Sequence, residues 1–231
     1  EAMPYYVEAL ETSRRVLGDE HPMTLNVQHL MGVLLTFQGR YHESEALYGA
    51  TLKTSRHVLG NEHPDTLRLI QRMGNMMVRQ GRFKEGEQFL HETREGFQHV
   101  LGKEHPETLW AIMNIGGLLR EQGRYTEAEE YYREALAIYP HVLSDDHPYS
   151  LWATMNMGGL LREQGKYVEA ETYVRKALEG RRRSLGDAHP ETLGSFKSMI
   201  KLYDEWNKPE KAKKYRDMLP EEDAVAEDTD E

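Results

Sequence analysis

A chain of 231 residues with 39% hydrophobic and 29% charged side chains reads as water-soluble, and its net charge of −10 argues against nucleic acid as the main partner. It has no cysteine, which excludes disulfides and thiolate chemistry. No apolar run is long enough to span a membrane and no signal peptide is visible, so a cytoplasmic setting is expected.

One element organises the rest. His21-Pro22, His63-Pro64, His105-Pro106, His147-Pro148 and His189-Pro190 recur every 42 residues without slip. A Thr or Ser and a Leu follow each pair: Thr24-Leu25, Thr66-Leu67, Thr108-Leu109, Ser150-Leu151 and Thr192-Leu193. Self-similarity at a fixed period of this size predicts stacked repeats.

In chain order, residues 1–18 predict one helix, with Tyr5, Tyr6, Ala9 and Leu10 at helical spacing. The chain thus opens partway through a repeat and reads as a piece of a longer protein. Leu17-Gly18 closes that helix, since Gly accepts the left-handed conformation. Full repeats are expected over 19–60, 61–102, 103–144 and 145–186, with a C-terminal capping repeat over 187–220. In the first, helix A runs from about Pro22, where a missing N–H costs nothing, to Gln38, and helix B from about His42 to Val58.

The 103–144 repeat shows the pattern best. Helix A is expected over about Pro106–Gln122 and helix B over about Thr126–Val142, with Gly123 as the stop. Thr126 and Glu129 have the spacing of a capping box. Glu45, Glu87 and Glu171 hold the matching place, where the helix dipole favours a carboxylate. Gly116, Ala128 and Ala135 mark close helix approach and recur as Gly158, Ala170 and Ala177. Ile115, Leu119, Tyr125 and Leu136 are the expected core between them.

The last repeat decays. Ile200, Asn207 and Pro209 replace a small residue, a Gly and an aromatic, and Lys208, Lys211, Lys213, Lys214 and Arg216 cover its second helix with charge. Solenoids need such a polar cap. Residues 221–231 hold seven acids and no base, and are expected to be disordered.

These positions resemble the tetratricopeptide repeat: a small residue at the eighth place of helix A, Gly before an aromatic at the turn, and two Ala on helix B. The period of 42 and the L-G-x-x-H-P-x-T-L linker are similar to the kinesin light chain subclass. Bacterial arrays attached to signalling kinases or NTPases are similar too. The resemblance covers about residues 1–219 and implies an all-α, right-handed superhelical solenoid of helix-turn-helix repeats. Departures at Ser44, Thr51, Gly86 and Thr93, where Ala is expected, predict looser packing in the first two repeats.

The resemblance further implies that helix A lines a concave groove. The groove positions are then Trp110, Met113, Asn114, Gly117 and Arg120, repeated as Trp152, Met155, Asn156, Gly159 and Arg162. Arg68, Arg72, Asn75 and Arg79 hold that face in the 61–102 repeat. Spacings of three and four put each set on one helix face. Asn can bond both the N–H and C=O of an extended peptide, Arg can grip a carboxylate twice, and Trp and adaptable Met give apolar contact. Asn114 and Asn156 match the Asn of the kinesin light chain N-L-A motif, which contacts cargo peptides. An acidic peptide with an aromatic or aliphatic anchor would suit this groove.

Catalytic signatures are missing: no phosphate-binding Gly loop, no G-x-S-x-G and no H-E-x-x-H. The His-Pro histidines would sit about 10 Å apart in neighbouring repeats, too far to share a metal with bonds of about 2 Å, so they read as helix caps. No metal or cofactor is expected. The leading expectation is a non-catalytic protein-interaction scaffold. Nucleic-acid binding through the basic C-terminal repeat and dimerisation through residues 1–18 are alternatives. The acidic tail could fold back on the basic surface.

Overall fold

The computed structural model describes residues 2–220; the tail 221–231, with its expected disorder and its fold-back contact, lies outside the described residues. Those residues form helices and no strand. α1 spans Met3–Leu17; α2 and α3 span Pro22–Phe37 and Tyr41–Val58; α4 and α5 span Pro64–Arg79 and Phe83–Leu101. α6 and α7 span Pro106–Glu121 and Tyr125–Val142; α8 and α9 span Pro148–Glu163 and Tyr167–Leu185; α10 and α11 span Pro190–Glu205 and Pro209–Arg216.

The chain divides into two compact units, α1–α6 through Gln122 and α7–α11 from Gly123. In the first, each helix packs on the next, and α4 also touches α2 and α6, two and two along the chain. In the second, consecutive helices pack likewise and α8 touches α10. Each unit is therefore a stack of antiparallel pairs whose first helices, the A helices, share a face.

Every A helix starts the same way. The Nδ1 atoms of His21, His63, His105, His147 and His189 accept a hydrogen bond of 3.2 Å from the backbone N–H two residues on. Each imidazole is thus an N-cap that satisfies one of the helix's orphan donors, and Pro follows at the first helical position. Thr24 and Thr108 bind the linker back, donating at 2.8 Å to the carbonyls of Gly18 and Gly102. Those two glycines sit at φ of 93° and 92°, ending the preceding helix where a side chain would be strained.

The B helices start differently from expectation. No capping box forms at Thr126: the N-cap is Arg124, without a side-chain cap bond. Its guanidinium instead grips Glu127 at 2.6–2.7 Å. Arg40 with Glu43 and Arg82 with Glu85 repeat this clamp. That frees the Glu two residues later to reach the next repeat. Glu45 accepts from Arg82 at 2.8 Å, Glu129 from Lys166 at 2.9 Å, and Glu171 lies 3.6 Å from Lys211. Burial opposes the charge on Glu129, yet Lys166, Arg133 and Gln164 hold its carboxyl down to about 2.

In the first, second and fourth repeats the two helices meet at a small residue, Gly32, Gly74 and Gly158. A methyl group on Gly32 would lie 2.2 Å from the Tyr48 ring, and one on Gly158 2.6 Å from Val174. Ala128, Ala135, Ala170 and Ala177 are fully buried, as are Ile115 and Leu119, while Tyr125 and Leu136 are half-buried. The first two repeats are not simply looser. Ser44 is fully buried and donates to the Gly32 carbonyl at 2.9 Å, and Thr51 donates to Gln28 at 3.0 Å. Hydroxyls replace Ala by gaining internal partners.

The final repeat is closed by aromatic rings. Trp206 stacks between Tyr167 and Tyr203, and Lys208 places its ammonium 3.2 Å from the Trp206 ring. Asn207 takes the turn's positive φ, 55°, where other repeats use Gly.

Gly32→Ala is expected to lower stability by about 1–3 kcal/mol through overpacking against Tyr48. Gly49→Ala, on a helix position with open space around it, should raise stability by up to about 1 kcal/mol. Thermal unfolding of the two variants, followed by circular dichroism, checks both signs.

Candidate functional site

The A-helix face of the first unit carries Arg68, Arg72, Asn75 and Arg79 on α4 and Trp110, Asn114, Gly117 and Arg120 on α6. Arg72 and Arg79 are exposed, and Asn75, Trp110, Asn114, Gly117 and Arg120 are partly buried. Arg68 is committed: it bonds Asp65 at 2.7 Å and Glu107 at 2.9–3.0 Å, tying α4 to α6. Its role is structural before it is recognition. Met113 is a correction. It is 0% exposed and belongs to the core, because its place on α6 faces inward with Ile112 and Ile115 rather than with Asn114.

In the second unit, α8 carries Trp152, Met155, Asn156, Gly159 and Arg162, all partly buried. Arg162 is the other correction. Its side chain is only 12% exposed and its guanidinium lies 3.3 Å from Glu163 and from Glu205 of α10. Holding a ligand carboxylate would require breaking that tie between helices.

The two asparagines adopt one geometry. Asn114 donates to the Trp110 carbonyl at 2.7 Å and Asn156 to the Trp152 carbonyl at 2.9 Å. One of the two carboxamide N–H groups is thus used by its own helix. What the side chain offers a partner is its oxygen, an acceptor for a peptide N–H, and its second N–H.

The structure adds residues that were not singled out. On α2, Leu30 is 39% exposed and Phe37 71% exposed, and Arg79 lies over the Phe37 ring at 5.3 Å. The signal was in the register: Leu30, Val33 and Phe37 stand 42 residues before Arg72, Asn75 and Arg79. The face therefore grades from apolar on α2 to cationic on α4.

His29, also on α2, is packed edge-on to Tyr48 at 6.4 Å. Burial first, then the charge of Arg72, pushes its imidazole down to about 4; Asp65 opposes and Arg68 adds to the drop. It is neutral at physiological pH.

Much of the basic C-terminal stretch is matched by carboxylates, while Lys213 and Lys214 remain exposed. Arg182 pairs with Asp187, Arg183 with Asp146, Lys176 with Asp145, Lys211 with Glu171 and Arg216 with Asp204. Arg181 is buried, donating to Ser195 at 2.8 Å. At the other end, α1 leaves Tyr5, Val7 and Val16 exposed. No described helix is long and apolar enough to cross a membrane.

Antiparallel helix pairs at a fixed period, capped alike and joined through small residues, define a helical repeat protein. Two family models described as tetratricopeptide repeat match, one at residues 1–49, 26–85 and 67–141 and the other at 150–191. The chain belongs to the tetratricopeptide repeat family. No curated protein matches it. Its fold is that of the kinesin light chain-type, nearly identical repeats of Podosopora anserina, at TM-score 0.69 and 20% identity over 91% of this chain and 99% of that one. BtubC (BKLC) from P. vanneervenii is similar at TM-score 0.77 and 17% identity, covering 99% of this chain and 91% of that chain. NprR in complex with its cognate peptide NprX is similar at 0.68 and 18% identity over 95% of this chain, which spans 63% of NprR.

The His29 imidazole yields a pH test. The unfolded chain protonates it below about 6.5, whereas the folded chain resists until about 4. Its contribution is complete above 6.5 and is lost as pH falls toward 4, on the order of 1–2 kcal/mol by pH 5. His29→Gln, carrying the side chain found 42 residues on at Gln71, should flatten the fall in melting temperature between pH 7 and 5.

Proposed function

We propose that this chain is a non-catalytic scaffold that holds an extended peptide segment, or a partner domain presenting one, on the A-helix face. The observation that carries this is the graded face of the first unit: exposed Leu30 and Phe37 beside exposed Arg72 and Arg79, with asparagine oxygens further along. Exposed apolar groups rimmed by polar ones mark contact surfaces. Stacked helices hold the face with little ordering cost on binding.

The chemistry favours an acidic segment with an aromatic or aliphatic anchor. The anchor meets Leu30, Phe37 and Trp110, and the acids meet Arg72 and Arg79. Asn114 accepts a backbone N–H group, and Asn156 offers the same acceptor on the A-helix face of the second unit taken by itself. Association is recognition only; no bond is made or broken. That NprR is described with a bound peptide supports reading the fold as peptide-binding. The net charge of −10 favours this reading over one based on phosphate contacts.

Peptide-display selection on this chain tests the reading. Enriched peptides should share an acidic pattern around an apolar anchor. Arg72→Ala/Arg79→Ala should weaken them about tenfold at low salt, with the difference shrinking at high salt. Asn114→Ala/Asn156→Ala should weaken them under both conditions. Failure of any peptide to enrich, or unchanged affinity in both double variants, moves the interaction off this face.

A further inference from the structure

Beside Arg68 the first unit contains a cavity of about 110 Å³ between α2, α3 and α4. Asn26 and His29 line it from α2, Thr51 and Ser55 from α3, and Asp65 and Arg68 from α4. It lies at a B-helix place whose residue varies between repeats. Ser55 stands where the later repeats, at steps of 42, place Phe97, Tyr139 and Arg181. Those three are 0%, 0% and 7% exposed and fill their sites; Ser55, 3% exposed, is too small to do so. Native interiors rarely leave such room, and Leu69, larger than Ala111 and Ala153 at the same place, does not close it.

The cavity is polar on one side. The His29 Nε2 atom is buried without a hydrogen-bond partner, a costly state that a turn of the ring toward the cavity it lines would relieve. The Ser55 and Thr51 hydroxyls share the wall, and Leu25, Leu59 and Leu69 form an apolar lining. Charge selects the occupant. Arg68 is already matched by Asp65 and Glu107. An incoming carboxylate would face Asp65, and an incoming ammonium would face Arg68. A neutral group avoids both. It must be able to donate or accept toward His29, whichever nitrogen carries the proton. A carboxamide does either, and on one or two methylenes it suits a space of three to four waters at about 30 Å³ each.

We propose that this cavity is a subsite for the carboxamide side chain of an Asn or Gln in the bound peptide. The proposal rests on the reading of the A-helix face as peptide-binding and adds to it a neutral specificity position in the first repeat. Asn26, exposed at the mouth, lies on that face 42 residues before Arg68, so a peptide there would pass over the opening.

The test uses free propionamide and propionate as probes and follows the His29 ring resonances by NMR, assigned with His29→Gln. Propionamide should shift them saturably in the wild type and propionate at least tenfold more weakly. Ser55→Phe, which installs the residue of the next repeat, should abolish the shift with the melting temperature kept or raised. Ser55→Ala, which keeps the space and removes the hydroxyl, should weaken it and serves if the Phe variant does not fold. No saturable propionamide shift, equal binding of propionate, or an unchanged shift in the variants overturns the subsite. Peptide display on the same proteins separates the two readings. Propionamide binding without peptide enrichment sinks the peptide-binding face and leaves a carboxamide site. Enriched peptides with no Asn or Gln preference and no propionamide shift do the reverse.

Discussion

Contact between the two helices of a repeat at one small residue is the constraint from which the rest follows. Gly32 sits against Tyr48, Gly74 against Leu90 and Gly158 against Val174, with no room for a methyl group at Gly32 or Gly158. The partners are themselves spaced by 42 or its multiples. Once that contact is fixed, the other faces of the pair are fixed too: Ala128, Ala135, Ala170 and Ala177 turn inward, and the asparagines and exposed arginines turn out. Even the exception obeys it. Ile200 replaces the small residue in the last repeat, and the position that would press on it is Arg216, where α11 ends.

Repeats so similar in framework differ in what they leave over. At the place of Ser55 the chain uses Ser13, Ser55, Phe97, Tyr139 and Arg181 in turn; at the place of His29 it uses His29, Gln71, Met113, Met155 and Lys197. The framework tolerates this although His29 packs against Tyr48, the ring that meets Gly32. In the first two repeats His29 and Gln71 both keep a buried nitrogen without a partner. The apolar Met113 and Met155 follow, and Met113 is core for that reason. Chemical individuality is thus concentrated at the N-terminal unit, where the proposed peptide face and its subsite both lie.

Helix bounds were legible from His-Pro, from the Gly residues and from the period, because those signals are local and repeat. The all-α class and the repeat family followed. The small-residue positions were legible for the same reason. Ion pairing was not. Glu129 has the spacing of a capping residue, and only the neighbouring turn of Lys166 shows why it points away. Arg162 and Arg68 read as ligand contacts because sequence shows their face and not the carboxylates of the next helix. Met113 and Asn114 are adjacent in sequence, and one residue is enough to change an outward place into an inward one. Phe37 was missed because a face was read from the best-conforming repeats and not extended to the first.

The shared cap at each A helix bears on how such a chain can change length. Every full repeat enters through the same imidazole bond, so the start of each A helix is chemically the same joint even where the linker before it differs, as at Ser144. Gain or loss of one whole repeat by gene duplication or unequal recombination at a His-Pro boundary preserves the rotational phase of everything downstream. A one-residue insertion inside a helix instead turns all later side chains of that helix by about 100°, since a turn takes 3.6 residues. The five caps are thus joints at which inheritance can lengthen or shorten the array without redesigning a single interface.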